Sequence, residues 1–338
     1  MKSPVVEESP GLGREGYWNL GRIGAQLSDI RCAWRAAQSH HAEYGREGFP
    51  SRGDLGKIMQ ALCGALFPLR LGPEFVRLHN EDAFVEQTLQ TALSRLYGQI
   101  RLELLYAMAD TEQSAIDARS AAIIGSFAQD LPRLRKLLDT DVEAAFHGDP
   151  AASSVDEVLV CYPSLLAVIH HRLAHRLHQL GAPLVARIIF EIAHGKTGID
   201  IHPGAQIGEC FFIDHGTGVV IGETAIVGAR VCLYQGVTLG ARVLHAGEDT
   251  TFLKNLPRHP VVEDDVVIYP GATILGQIVI GHDSEIGANV WLTGTVPPGS
   301  RVTQARARND ISRARQRNRH GRFVAEGRRK TECGDRLQ

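Results

Sequence analysis

From Ile201 onward the chain repeats every six residues, and no other feature limits its fold as strongly. Ile201, Ile207 and Ile213 stand six apart; after a two-residue slip, Ile221, Val227, Leu233 and Leu239 resume the spacing. A second run carries Val262, Ile268, Ile274, Ile280, Ile286 and Leu292 in unbroken register. The fourth residue after an anchor is usually small or β-branched, as at Ala205, Ala225, Val231, Val237, Val266, Ala272, Ser284, Val290 and Val296, and Gly often follows the anchor directly. Neither a 3.6-residue helix nor a period-2 strand explains this pattern. Hexapeptide repeats mean a parallel β-helix, in which short flat strands turn tightly and stack coil on coil.

Two breaks interrupt the rhythm. The first is the slip at Thr217–Val220. The second is the step from Leu239 to Val262, which is 23 residues, five more than an 18-residue coil of three hexapeptides. We expect a loop protruding from the prism over 240–259, and loops on rigid scaffolds commonly carry function.

Upstream, residues 1–17 read as a flexible lead and 18–198 as an α-helical domain. Phe84–Met108 carries apolar residues at three- and four-residue spacing among good helix formers. Breaks are expected at Gly45–Gly53, Pro68–Pro73, Gly148–Pro150 and Gly181–Pro183. The β-helix is expected over 199–300, and a basic tail over 301–338. That tail holds eleven Lys/Arg between Arg301 and Lys330 against Asp310 and Glu326. Such a run is most often a solvated extension; a cover for an anionic phosphate is the sharper alternative.

At 338 residues with net charge −2, the chain gives no reason to expect nucleic acid or a membrane as its main partner. No apolar stretch approaches the roughly 20 residues of a membrane helix, and the N-terminus lacks a signal core. Six scattered cysteines without CxxC spacing read as reduced thiols, so cytoplasm is the expected compartment.

The chemistry-bearing residues cluster in the first coils. The motifs IDIHPG, holding Asp200, and IDHGTG, holding His215, start fourteen residues apart, which puts Asp200 and His215 on neighbouring rungs, close enough for a hydrogen bond. A carboxylate on one imidazole nitrogen fixes the tautomer and leaves the other nitrogen as a general base. A corner His and a turn Asp more often merely satisfy backbone groups. Here both flank Gly-rich turns, where a ligand can approach the backbone.

The stretch GIDIHPGAQIGECFFIDHGTGVVIGETAIVGARVCLYQGVTLGA, followed by RHPVVEDDVVIYPGATILG, resembles serine O-acetyltransferases. The upstream GDPAASSVDEVLVCYPSLLAVIHHRLAHRLHQLGAPLVARIIFEIAHGKTG is similar to the same family's helical segment. The resemblance covers about Asp149–Val302, and it is specific because the DIHPGA, DHGTG and RHP elements occur together and in order. It implies an α+β chain: an N-terminal α-helical domain, then a left-handed parallel β-helix, trimerised through the prism with active sites between neighbouring subunits. Handedness follows from the resemblance alone, since ordinary parallel crossovers are right-handed.

The resemblance also implies roles. His215 would be the general base on the serine hydroxyl and Asp200 would orient it, with direct transfer from acetyl-CoA and no enzyme nucleophile. Asp149 and Asp214 would hold the serine ammonium, and Arg258 and His259 its carboxylate. CoA would lie near Gly240 and Ala241, on backbone amides that could serve the oxyanion. Taken singly, Asp149 reads as a turn residue before Pro150 and Arg258 as a surface charge. Their joint appearance with DHGTG lifts them above that.

No permanently bound cofactor and no metal are expected. L-Serine and acetyl-CoA are the expected partners, L-cysteine a feedback inhibitor, and the assembly a homo-oligomer built on a trimer. The cysteine synthase complex is doubtful, because many family members end in Ile and this chain ends in Gln338. Alternatives are an acyltransferase with a sugar or amine acceptor and a β-helix zinc carbonic anhydrase drawing on His202, His215, His245, His259 and His282. His171, His175 and His178 share one helix face at a spacing that could bind a metal; a packed histidine cluster is the more common outcome.

Overall fold

A computed structural model of the chain describes residues 19–37, 48–108, 111–242 and 256–304. Eight helices precede fourteen short strands among these residues: α1 Leu20–Ala37, α2 Arg52–Leu66, α3 Pro68–Leu71, α4 Glu81–Ala107, α5 Gln113–Gly148, α6 Val155–Cys161, α7 Pro163–Leu180 and α8 Pro183–Thr197. Their ends follow from capping chemistry. Ser51 caps α2 by accepting from the Asp54 N–H, and Ser154 caps α6 by accepting from the Glu157 N–H. Pro163 and Pro183 open α7 and α8, and Gly181 and Gly198 close them at φ 95° and 68°. Helix α1 has no buried side chain. The residue lead at 1–17 and the tail beyond 304 lie outside the described residues.

The strands are β1 Asp200–Ile201, β2 Gln206–Ile207, β3 Phe212–Ile213, β4 Val220–Ile221, β5 Ile226–Val227, β6 Cys232–Leu233, β7 Thr238–Gly240, β8 Val261–Val262, β9 Val267–Ile268, β10 Thr273–Leu275, β11 Val279–Ile280, β12 Glu285–Ile286, β13 Trp291–Leu292 and β14 Arg301–Val302. They form three parallel sheets: β1-β4-β7-β10-β13 (sheet I), β2-β5-β8-β11 (sheet II) and β3-β6-β9-β12-β14 (sheet III). Chain order visits I, II and III in turn, so the product is a three-sided parallel β-helix. The hexapeptide anchors fill its interior; Ile201, Leu233, Leu239, Ile268, Ile274, Ile280 and Ile286 are all fully buried.

The register measures both breaks. Ile201 pairs with Ile221, 20 positions on, and Ile221 with Leu239, 18 on, so the expected two-residue slip is one widened corner between sheets III and I. Leu239 pairs with Ile274, 35 positions on. The insertion is therefore 17 residues, which corrects the expected five. Leu239 belongs to sheet I and Val262 to sheet II, so these two anchors are one corner apart and not a whole coil. The residues 243–255 of this insertion lie outside those described. A second correction concerns Arg301 and Val302, expected in the tail. They form β14 beneath β12, with Arg301 Nη2 on Glu285 Oε2 at 2.9 Å.

Helices and prism are fastened by a buried ion pair. Arg172 donates from Nε and Nη2 to Asp141 at 3.0 and 2.9 Å, and also to the carbonyls of Ile207 and Gly208. Asp141 Oδ1 accepts in addition from the Phe211 N–H at 2.9 Å. Burial raises the Asp141 carboxyl pKa, against which Arg172 works. The described residues as far as Thr303 thus belong to one compact unit.

Candidate active site

Gly148 ends α5 where a Cβ would lie 2.8 Å from the Phe212 ring. Only glycine lets the helix press on β3 this closely, and the contact delivers Asp149 to the edge between sheets III and I. Asp149 Oδ1 accepts from the Ala151 N–H at 2.8 Å, and Oδ2 accepts from the Tyr162 hydroxyl. The Tyr162 hydroxyl, ahead of the Ala151 N–H, holds the Asp149 carboxyl below its usual range, and His215 nearby acts in the same direction. In turn, Asp149 pushes the Tyr162 phenol up to about 12, so it remains a donor.

The DHGTG turn supplies the rest of this edge. His215 takes φ 57°, followed by Gly216 at 91° and Gly218 at 81°; these left-handed residues are what the widened corner requires. The His215 side chain is 73% exposed, with Nε2 3.9 Å from Asp214 Oδ1. The hydrogen bond expected between Asp200 and His215 is not made. The left-handed turn sends the imidazole outward beside Asp214. Asp200, opening β1, instead brings its carboxylate within 4.8 Å of the ligating atoms of Glu191 and His194 on α8. The two residues do share an edge, because Gly216 packs on Ile199.

Arg258 and His259 lie on a different edge, between sheets I and II, at the end of the insertion. Arg258 pairs with Glu223. Burial opposes charge on Glu223, yet Arg258, followed by His202, holds its carboxyl below the usual range. His259 is only 7% exposed. Its Nδ1 accepts from the Thr224 N–H at 3.1 Å and lies 2.8 Å from Thr224 Oγ1. Burial, with Arg258 second, pushes its pKa down to about 4, so the ring is neutral at physiological pH. A Cβ at Gly222 would fall about 2 Å from this ring, on Cδ2 and Nε2.

Gly240 ends β7 on the same edge, its carbonyl accepting from the Gly276 N–H at 3.0 Å, and Ala241 follows it. Alongside runs a cleft of about 390 Å³ lined by Arg242, Arg258, Leu275, Gly276, Gln277, Ile278 and Thr293. The two arginines in its lining suit an anionic cosubstrate.

Tyr162, Glu223 and Thr224 escaped the sequence reading. Tyr162 has the form of a helix N-cap before Pro163. Glu223 and Thr224 fill an ordinary coil corner, and only the insertion's return brings Arg258 and His259 onto them.

The histidine face of α7 packs on the first coil. His175 Nδ1 donates to the Pro203 carbonyl at 2.7 Å, His171 stacks on His175 at 5.6 Å, and His178 meets His202 edge-on at 6.0 Å. Of the histidines considered for a zinc site, His202 and His259 stand on the I/II edge, His282 on II/III and His215 on III/I, and His245 lies outside the described residues. One chain does not converge them.

Residues 259–294 match the family model of the bacterial transferase hexapeptide (six repeats). A plasmid serine acetyltransferase of Synechococcus elongatus is 50% identical over 266 residues, spanning 77% of this chain and 83% of that protein. A serine acetyltransferase of Mycobacterium tuberculosis is 52% identical over 162 residues, 48% of this chain and 67% of that one. Among solved structures, serine acetyltransferase isoform 3 of Entamoeba histolytica, in complex with cysteine, superposes at TM-score 0.65 with 34% identity, covering 76% of this chain and 84% of that one. The three-sheet prism is accordingly the left-handed β-helix, and neither the anhydrase nor a sugar or amine acceptor is favoured by these relatives. With its repeats, its site motifs and this extent of identity, the chain belongs to the serine acetyltransferase family.

Proposed function

We propose that the chain transfers an acetyl group from acetyl-CoA to the L-serine hydroxyl in a site completed by two neighbouring subunits of a prism trimer. One observation carries this reading. The groups suited to the serine ammonium and hydroxyl, Asp149, Asp214 and His215, occupy the III/I edge, while Arg258 and His259, suited to its carboxylate, occupy the I/II edge a full face away. A ligand the size of serine cannot reach both in one chain. A cyclic trimer, in which one subunit's edge meets a different edge of the next, joins the two sets.

In this site His215 accepts the hydroxyl proton as serine Oγ attacks the thioester carbon. The tetrahedral oxyanion collapses with cleavage of the C–S bond, and the proton passes from His215 to the departing CoA sulfur, giving O-acetylserine and CoA. Asp149 and Asp214 bear the anionic charge that the ammonium needs. Asp200 flanks the His215 corner, where Gly216 packs on Ile199. CoA occupies the cleft beside Gly240 and Ala241, its phosphates toward Arg242, and nothing in the chemistry calls for a permanently bound cofactor. L-Cysteine carries the same ammonium and carboxylate as serine, so it would compete for the same groups as an inhibitor.

The described cysteines are all free, burial pushes Cys63 and Cys232 up to about 12, and no described helix is long and apolar enough to cross a membrane. These features fit a cytoplasmic enzyme. The test is acetyl-CoA-dependent thiol release measured across serine, homoserine and amino sugars. Serine should be preferred by a wide margin; equal rates with the sugars would overturn the acceptor.

A further inference from the structure

Thr224 sits at the centre of the I/II corner and uses every hydrogen-bonding capacity it has. Its Oγ1 accepts from the Arg258 N–H at 2.9 Å and from the His259 N–H at 3.2 Å. A hydroxyl has two acceptor sites and one donor. With both acceptor sites taken, its proton has one destination, His259 Nδ1 at 2.8 Å. The backbone N–H of the same residue donates to that nitrogen as well, at 3.1 Å. Two donors converging on Nδ1 require it to be unprotonated. A neutral imidazole then carries its proton on Nε2, and Nε2 has no hydrogen-bond partner among the described residues.

From this geometry we infer that Thr224 is a positioning residue that locks His259 as a neutral Nε2–H donor and fixes the Arg258–His259 turn from which a substrate carboxylate is held. The inference deepens the serine reading above and rests on it for the identity of the ligand. Gly222 completes the device, since any Cβ there would occupy the space of the ring. A locked donor binds an anion without gaining or losing a proton, so affinity stays constant across neutral pH. The charged and titratable groups facing His259 are Arg258 on its own segment, Glu223 from the corner after β4 and His202 from the corner after β1. Of these, Glu223 is paired with Arg258, and His202 has its pKa lowered, chiefly by burial.

Nitrogen-15 NMR of the intact enzyme, labelled at histidine and assigned by loss of a signal in His259→Gln, reads the tautomer directly. The expected result is a His259 ring protonated on Nε2 alone and unchanged from pH 8 to pH 5.5. A proton on Nδ1, or a tautomer mixture, in the unsubstituted enzyme overturns the inference whatever the kinetics show. Thr224→Val keeps the backbone N–H on Nδ1 but removes the hydroxyl that the Arg258 and His259 N–H groups use. It should weaken the lock and raise the serine KM about tenfold at pH 8, the effect of one lost hydrogen bond to a charged group, with kcat changed less than twofold. The defect should shrink as pH falls and His259 takes up a second proton. Thr224→Ser should restore both the tautomer and most of the affinity. If Thr224→Val mixes the tautomers while serine KM stays fixed, Thr224 positions His259 but the carboxylate role proposed above fails. If both the tautomer and the serine KM survive Thr224→Val, the positioning role itself fails.

Discussion

The two edges that carry the candidate residues are built in opposite ways. On the III/I edge, the groups come from a helix end and a left-handed turn. Asp149 is held by Tyr162, while His215 projects into solvent on the widened corner. On the I/II edge, the groups come from the return of a 17-residue insertion, and His259 is buried against Gly222 with its tautomer fixed by Thr224. An exposed imidazole can rotate and exchange protons with water and substrate, as a general base must. A buried neutral imidazole with a fixed donor is suited to holding an anion. On the proposed reading, the prism separates the group for proton transfer from the groups for anion binding by a full face.

That contrast makes distinct demands on kinetics. The largest effect is expected from His215→Ala, which should lower kcat by about 10²–10⁴-fold with a small change in serine KM. Next, Arg258→Ala should raise serine KM about 10- to 100-fold, the loss of a charge-assisted contact, while leaving kcat within a few fold. If these two variants showed the same split between kcat and KM, the division of labour would be wrong. Tyr162→Phe frees Asp149 Oδ2 and should raise serine KM about three- to tenfold, in line with one hydrogen bond.

Acid stability probes the buried histidines of α7. Burial pushes His170 down to about 4 and His171 well below its ordinary value. Both are neutral in the fold and protonated in the unfolded chain below about pH 6.5, so their contribution is intact above that pH and lost as pH falls toward 4. The slope is about 1.4 kcal/mol per pH unit for each, read as a falling Tm between pH 7 and 5. His171 is 1% exposed with both ring nitrogens unpartnered. His171→Leu should therefore raise Tm or leave it unchanged, and flatten the acid limb; a large loss of stability would show that the ring has a partner.

The fold was legible because one anchor in six is a purely local rule, and Ile201 through Leu292 obey it. The insertion was misjudged because its length depends on which sheet receives the chain again. Spacing alone does not say that Leu239 faces sheet I and Val262 sheet II. The motifs DHGTG and RHP marked His215, Arg258 and His259, but their partners depend on three dimensions. Thr224 lies 35 residues from His259 and Tyr162 thirteen from Asp149, with no period linking them. The Asp200–His215 bond failed for a conformational reason, the left-handed φ at His215, which the Gly-rich turn allowed but did not specify.

The central claim is that one site draws His215 from one subunit and Arg258 from the next, and intersubunit complementation tests it most directly. His215→Ala and Arg258→Ala chains, each nearly inactive alone at low serine, are co-expressed with different tags, and mixed oligomers are isolated through both. In a mixed cyclic trimer of either composition one of the three interfaces is intact, so the isolated mixed oligomers should restore about a third of the unsubstituted activity. Mixed oligomers no more active than the two parents would contradict the account and return both sets of residues to a single chain.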